Sequence, residues 1–282
     1  MEKKMNEKKV PKLIALDLDE TTLNMLSGIS EGNRAALARA IERGVEIVIA
    51  SGRAYETLPE EMTSFPGVRY AVCGNGATVY DVRNDACLVR HLVPVDALDR
   101  IIALMEGEDI TWEAFVAGRA YAQRSYIEHP ERYTQDPMTA RYLKASRRPV
   151  EDILAFIREN RAQLDSVDVV VISESQKDRL MEVLSAVPGV YVTTSVPRLI
   201  EISNIHCGKH NGMKWVAEQL GIDRADTAAF GNADNDADML LWAGTGVAVA
   251  NASEKCLAAA DYVTSHFLKD GVAAAFHDLW GI

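Results

Sequence analysis

Leu13-Ile14-Ala15-Leu16-Asp17-Leu18-Asp19-Glu20-Thr21 decides the fold. Four apolar residues in a row fit a short strand buried on both faces, as in a parallel sheet. Two carboxylates follow at its carboxyl end, where ligands gather in open parallel sheets. Residues two apart can converge on one spot there. Asp17 and Asp19 can then divide the work, one as nucleophile and the other as general acid and base. For these residues alone, a solvated acidic turn at a strand exit is the competing reading.

Working outward, Ser30 can cap a helix over 31–43 with Ala36, Leu37, Ala40 and Ile41 on one side, and Gly44 can stop it. Residues 45–50 read as a second buried strand, a helical stretch follows Arg53, and 69–73 read as a third strand. This β-α-β-α-β order implies a parallel sheet with right-handed crossovers. The same grammar returns late in the chain: helix 213–220 stopped by Gly221, strand 227–230, helix 236–242, strands 246–250 and 262–264, and helix 271–279. The middle is different. It holds Trp112, Phe115, Tyr121, Tyr126, Tyr133 and Tyr142, with β-like pieces at 167–172 and 190–194. Such aromatics more often pack than stack on a sugar or base. The expectation is an α/β protein, with a Rossmann-like parallel-sheet core over 1–82 and 205–282 split by an α+β insert over 83–204.

Composition limits the function classes. The chain has 282 residues, 30 Lys and Arg against 41 Asp and Glu, and a formal net charge of −11. Hydrophobic residues make up 48%, enough apolar surface to exclude wholesale disorder. The acidic balance argues against nonspecific duplex binding, so no nucleic-acid partner is expected. Apolar runs such as 247–250 are too short to span a bilayer, so no membrane partner is expected either. The first ten residues, MEKKMNEKKV, are charged without an apolar stretch behind them, and read as a solvated tail instead of a signal peptide. Cys73, Cys87, Cys207 and Cys256 are too scattered for a disulfide framework, and reduced thiols in a cytoplasmic protein are expected.

Three further places carry chemistry. After strand 227–230 comes Gly231-Asn232-Ala233-Asp234-Asn235-Asp236-Ala237-Asp238, a second set of hard oxygen ligands at a second strand end. Two such sets at one sheet edge could hold Mg²⁺. An EF-hand is excluded, because Ala237 and Ala243 stand where that loop needs Gly and Glu. An acidic helix N-terminus favoured by the dipole explains some of these acids. Ser51-Gly52-Arg53 joins a strand to a helix and offers an anion site, or simply an N-cap. Lys209, after Gly208, can place a positive charge on a phosphoryl group. No P-loop or dinucleotide fingerprint occurs, and His206, Cys207 and His210 lack the companions of a zinc site.

Taken in order, Asp17-x-Asp19-x-Thr21, Ser51-Gly52-Arg53, Lys209 and Gly231-Asn232-x-x-Asn235-Asp236 resemble the haloacid dehalogenase superfamily. More narrowly the chain resembles its Cof-like hydrolases, which carry a type IIB cap between the second and third motifs. Asn75-Gly76-Ala77 and Leu199-Ile200-Glu201-Ile202 support the match. The resemblance implies a phosphatase acting on a small phosphorylated metabolite, such as a sugar phosphate or pyridoxal phosphate. Asp17 would form an aspartyl-phosphate, while Asp19 would protonate the leaving oxygen and then activate water. Ser51, Gly52, Lys209 and Asn235 would bind the phosphate. Asp17, Asp19 (through its carbonyl), Asn232 and Asp236 would hold Mg²⁺. Like charge between carboxylate and phosphate makes such cations necessary. The alternatives are a phosphotransferase or phosphomutase on the same scaffold, or a metal-impaired binding protein. Glu20 stands where Gly is common in the family, Asn232 where Asp is usual, and His210 where Gly is common. Glu113, Arg119, Tyr121 and Arg198 are the cap candidates for substrate contact.

Overall fold

The computed structural model describes residues 9–24 and 28–282. Most of the expected N-terminal tail, residues 1–8, lies outside them. In chain order the strands are β1 (Leu13–Leu16), β2 (Glu46–Ala50), β3 (Tyr70–Cys73), β4 (Thr78–Asp81), β5 (Ala86–Arg90), β6 (Ile110–Val116), β7 (Arg119–Gln123), β8 (Arg148–Val150), β9 (Leu164–Val171), β10 (Val190–Thr193), β11 (Leu199–Asn204), β12 (Thr227–Gly231), β13 (Thr245–Ala248) and β14 (Tyr262–Val263). They form two sheets. The larger has the order β14-β13-β12-β1-β2-β3-β4-β5, and the smaller β10-β11-β9-β6-β7-β8.

β1 sits between β12 and β2, parallel to both. Its alternating side chains feed two cores. Ile14 and Leu16 pack with helices Glu31–Glu42 and Gly271–Trp280, while Leu13 and Ala15 pack with Lys209–Leu220 and Ala237–Trp242. Full burial of each such aliphatic chain contributes roughly 1.5–3 kcal/mol, which is why the strand reads as an unbroken apolar run. The parallel order continues through β13, β14 and β3, and β4 and β5 return antiparallel. No helix among the described residues is long and apolar enough to cross a membrane.

Three expectations need correction. The large sheet does not end at residue 82, because β5 pairs with β4. Asp81 turns the chain back: Oδ1 accepts from the backbone N–H of Arg83 and Asn84, and Oδ2 accepts from Asn84 Nδ2 and Arg69 Nε. The helix expected after Arg53 is only the turn Tyr55–Thr57 and the short Glu60–Thr63. Leu58, which precedes Pro59, is extended, as pre-proline residues tend to be. Residues 83–204 hold seven strands, β5 of the larger sheet and the six of the smaller one, instead of two β-like pieces.

The smaller sheet has two unlike faces. Trp112, Ala114, Val167, Val169, Ile200 and Ile202 pack under helices Val95–Leu104, Ile153–Glu159 and Glu174–Ser185. The alternate residues, by the two-residue period of strands, are buried polar groups: Thr111, Glu113, Ser166, Asp168, Glu201 and Ser203. That face meets the loops at the carboxyl edge of the large sheet, where Phe115 packs on Ala54 and Glu201 lies beside Gly52.

Candidate active site

Asp17 leaves β1 with its backbone N–H bonded to the carbonyl of Phe230, so the ends of β1 and β12 are locked side by side. Its own carbonyl accepts from Thr22 Oγ1 at 2.6 Å. This delivers the Asp17 side chain to the second acidic loop. There Lys209 Nζ bridges Asp17 Oδ1 at 2.7 Å and Asp236 Oδ1 at 2.6 Å. The Lys209 side chain is 1% exposed and that of Asp236 0%, so three charges are buried together. Burial alone would lower the Lys209 pKa, but the two carboxylates raise it above the ordinary lysine value. Burial and the nearby Asp236 push Asp17 up to about 7, against the pull of Lys209.

Asp236 is fixed from both sides. Its Oδ2 accepts from the backbone N–H of Asn232 at 2.9 Å and of Ala233 at 3.0 Å. Asn232 turns its amide oxygen to Thr21 Oγ1 at 3.1 Å, tying the two loops again. The other acids of that loop are taken up elsewhere. Asp234 accepts from Ser253 Oγ, and Asp238 accepts from Tyr191 Oη of the smaller sheet at 2.9 Å.

Asp19 is held differently. Its side chain is 52% exposed and receives a two-pronged contact from Arg53, Nε at 2.8 Å and Nη2 at 2.6 Å. The Arg53 guanidinium lies 4.4 Å from the ring centroid of Tyr142. Tyr142 belongs to helix Pro137–Ser146 of the insert, so this acid is braced by both parts of the molecule. Ser51 is buried, with its hydroxyl accepting from the Arg53 N–H at 3.1 Å.

Asn75 is a residue whose role sequence reasoning did not assign. It is left-handed, at φ 53°, a conformation Asn tolerates better than most non-glycine residues. Its backbone N–H bonds the Ser51 carbonyl, and its carbonyl accepts from the Gly208 N–H. Its side chain donates to Glu201 Oε1 at 2.8 Å and accepts from Asn235 Nδ2 at 2.9 Å. One residue thus ties together the loops of Ser51, Lys209 and Asn235 and a strand of the smaller sheet. The signal in the sequence was an Asn flanked by two glycines. The close fit behind it is plain at Gly76, where a Cβ would lie 2.3 Å from the Gly208 carbonyl oxygen.

The expected cap contacts divide. Glu113 is buried and paired with Arg147, whereas Arg119 reaches Glu56 on the surface. Arg198 bonds the Tyr133 carbonyl, and Tyr121 packs on Phe156, away from the site. A cleft of about 490 Å³ lined by Tyr191, His210, Asp238 and Trp242 opens beside the site and includes none of the expected site residues.

The buried oxygens test the fit of a small hard cation. Asp17 Oδ2 is buried and has no hydrogen-bond partner among the described residues. Asn232, in the loop that Thr21 ties to this strand end, offers an amide oxygen, and the Asp19 carbonyl follows two residues on in the chain. No group of three His, Cys, Asp or Glu side chains is set to hold a metal among the described residues. A cation here would therefore rest on one carboxylate oxygen plus neutral oxygens, a donor set that suits Mg²⁺ with its retained waters.

The chain is a hydrolase, and the enzymes it is similar to are phosphatases. The chain belongs to the haloacid dehalogenase-like hydrolases, whose family model matches residues 14–276, and within them it is Cof-like. It is 29% identical over 264 residues to the 5-amino-6-(5-phospho-D-ribitylamino)uracil phosphatase YcsE of Bacillus subtilis, covering 94% of each chain. It is 27% identical over 268 residues to the pyridoxal phosphate phosphatase YbhA of Escherichia coli, covering 93% of this chain and 96% of that one. In fold it is similar to the subclass IIB sugar phosphatase BT4131, with a TM-score of 0.77 at 21% identity over 94% of this chain and 97% of the other.

Proposed function

We propose that the protein is a Mg²⁺-assisted phosphatase that hydrolyses a small phosphorylated metabolite through an aspartyl-phosphate on Asp17. The observation that carries this reading is the state of Asp17. One oxygen is pinned by Lys209, and the other is buried and unpartnered among the described residues. In this reading the Asp17 oxygen that Lys209 holds bonds to phosphorus as the ester oxygen leaves with a proton from Asp19, which leaves Oδ2 for the cation. Asp19 then takes a proton from water as that water attacks phosphorus and releases Asp17. Arg53 aims the Asp19 carboxylate, and general acid–base help of this kind contributes about 10²–10⁴-fold. Lys209, the Ser51 hydroxyl, the Gly52 N–H and Asn235 receive the phosphoryl oxygens.

Mg²⁺, held by Asp17 Oδ2, the Asp19 carbonyl and Asn232, would supply positive charge against which the phosphate can approach a carboxylate. Asp236 already has both oxygens engaged, so we assign it the task of orienting Lys209 and the Asn232 loop. The part of 83–204 beyond β5 acts as the cap, and its buried polar face closes over the esterified group. The candidate substrates are sugar phosphates, pyridoxal phosphate and the phosphoribitylaminouracil of the relatives. The free thiols Cys73, Cys207 and Cys256, all buried, suit a cytoplasmic setting.

A phosphate-release panel of these esters with Mg²⁺ and no acceptor tests the reading, with Asp17→Asn beside the wild type. Release by the wild type and none by the variant is expected. Release that depends on an added acceptor would mark a phosphotransferase, and wild-type turnover by Asp17→Asn would remove the covalent step.

A further inference from the structure

Four strands of the smaller sheet carry one row of polar residues in register. Glu113 of β6 stands opposite Asp168 of β9, Asp168 opposite Glu201 of β11, and Glu201 opposite Thr193 of β10. Directly opposed residues share a face, with Cβ atoms about 4.5–5.5 Å apart. All four are buried, and Asp168 and Glu201 are only 4% and 6% exposed. Like charges directly opposed across strands are destabilising, and burial removes the water that would screen them.

The row is not balanced. Arg147 bonds Glu113 Oε2 through Nε and Nη2, both at 2.6 Å, and so neutralises that one acid. Among the described residues Asp168 and Glu201 have no cation of their own: Arg147 reaches Asp168 only while committed to Glu113, and Lys209 is held by Asp17 and Asp236. Glu201 Oε1 accepts from a neutral amide, that of Asn75. The Ser195 hydroxyl approaches Glu201, yet Glu201 Oε2 has no partner in hydrogen-bond geometry among the described residues. The same holds for Thr193 Oγ1, buried beside it.

Both ends of the row are tied to the catalytic loops. At one end Glu201 Oε1 would lie 3.0 Å from a Cβ placed on Gly52. At the other, Arg147 lies over the ring of Tyr142, which lies over Arg53, which grips Asp19. Asp168 is the middle of this span. A merely structural row would be aliphatic, like Val167, Val169, Ile200 and Ile202 on the opposite face, since buried charges are usually less stable than apolar replacements.

Resting on the phosphatase reading above, we infer that Asp168 and Glu201, with Thr193, form a subsite for an amino group on the alcohol part of the phosphate ester. An ammonium carries one positive charge and three N–H donors. It can meet Asp168, Glu201 Oε2 and Thr193 Oγ1 together, whereas a neutral hydroxyl leaves the charge of the row uncompensated. The enzyme therefore selects amine-bearing phosphomonoesters over their hydroxyl counterparts.

Phosphate release is measured for matched pairs: glucosamine 6-phosphate against glucose 6-phosphate, and phosphoethanolamine against 2-hydroxyethyl phosphate. The wild type, Asp168→Asn and Glu201→Gln are compared with Mg²⁺. For at least one pair the wild type should favour the amine about ten-fold or more in kcat/KM, a difference residing in KM. In Asp168→Asn that ratio should fall towards one, and in Glu201→Gln it should fall as well. Turnover of all four esters with ratios within about two-fold overturns the amine subsite and leaves the phosphatase reading standing. A preference that survives in both variants overturns it too. If none of the four esters is hydrolysed, thermal shift with the same four compounds decides the subsite, and the phosphate-release panel above decides the phosphatase reading. A larger shift with the amine in wild type but not in Asp168→Asn supports it, and equal shifts overturn it.

Discussion

Replacing Lys209 by Met tests the buried charge triad directly. The side chain keeps its length and loses its cation, so Asp17 and Asp236 face each other in a site that excludes water. Breaking a buried ion pair on one side costs about 3–5 kcal/mol. Proton uptake caps this: an Asp with an unfolded pKa near 3.9 is neutralised at pH 7 for about 4 kcal/mol, at 1.36 kcal/mol per pH unit. Asp17, pushed up to about 7 beside Lys209, already carries part of that cost in the wild type, so about 3–4 kcal/mol at pH 7 is the upper figure for the loss. At roughly 2–4 °C per kcal/mol, this is a drop in Tm of roughly 6–16 °C. The sign with pH follows. A carboxyl group whose folded pKa is raised is relieved as pH falls, so at pH 5 the proton costs only about 1.5 kcal/mol and the deficit shrinks accordingly. Calorimetric melts of both proteins at pH 5 and pH 7, with phosphate release measured in parallel, check this. A deficit below about 1 kcal/mol at pH 7, or one that does not shrink at pH 5, would refute the buried-triad reasoning.

Asn75→Gly keeps the left-handed backbone but removes the side chain that links Glu201 to Asn235. kcat should fall about 10–100-fold, as expected when an orienting hydrogen bond near the reacting atoms is lost, and an unchanged kcat would show that the link positions nothing. Asn232→Asp should lower the Mg²⁺ concentration for half-maximal activity several-fold, with a smaller change in saturated turnover, because substrate phosphate already assists the bound cation. An unchanged Mg²⁺ requirement would detach Asn232 from the metal. Burial, then Glu201 and Glu113, raise the pKa of Asp168 well above the ordinary carboxylate value. Its contribution to stability is thus full below about pH 3.9 and is lost as pH rises towards the folded value, by about 1.4 kcal/mol per unit. Asp168→Asn should accordingly melt increasingly above wild type as pH rises from 4 to 7, and a gap independent of pH would contradict the burial of that charge.

The centre of the large sheet was legible because β1, β2, β3 and β12 are buried on both faces. Leu13–Leu16 and the apolar run ending at Ala50 announce themselves without a partner, and the chemistry sits directly after them. Asp17, Lys209 and Asp236, far apart in the chain, are hydrogen-bonded together. The insert was harder to read because its strands bury polar residues. Asp168 within LDSVDVVV and Glu201 within LIEISN interrupt the apolar pattern that identifies a strand. Glu113 could be named from sequence, but its partnership with Arg147 and its place opposite Asp168 depend on register, which the sequence does not print. Arg119 and Arg198 looked equally suitable, but Arg119 pairs with Glu56 and Arg198 with the Tyr133 carbonyl. Arg53 was visible as part of a phosphate-type motif, while its grip on Asp19 is a tertiary fact.

The return strand β11 limits how freely the insert can be exchanged for that of a relative. It belongs to the insert's sheet by hydrogen bonding, yet Glu201 grips Asn75 in the core, and the chain runs from Asn204 into the helix that begins with Lys209 within five residues. A chimera cut at the sheet boundary would import a foreign residue at position 201 and leave Asn75 facing it. Successful grafts should therefore be those whose donor carries an acceptor side chain at that place, so that modularity here depends on one matched pair across the junction.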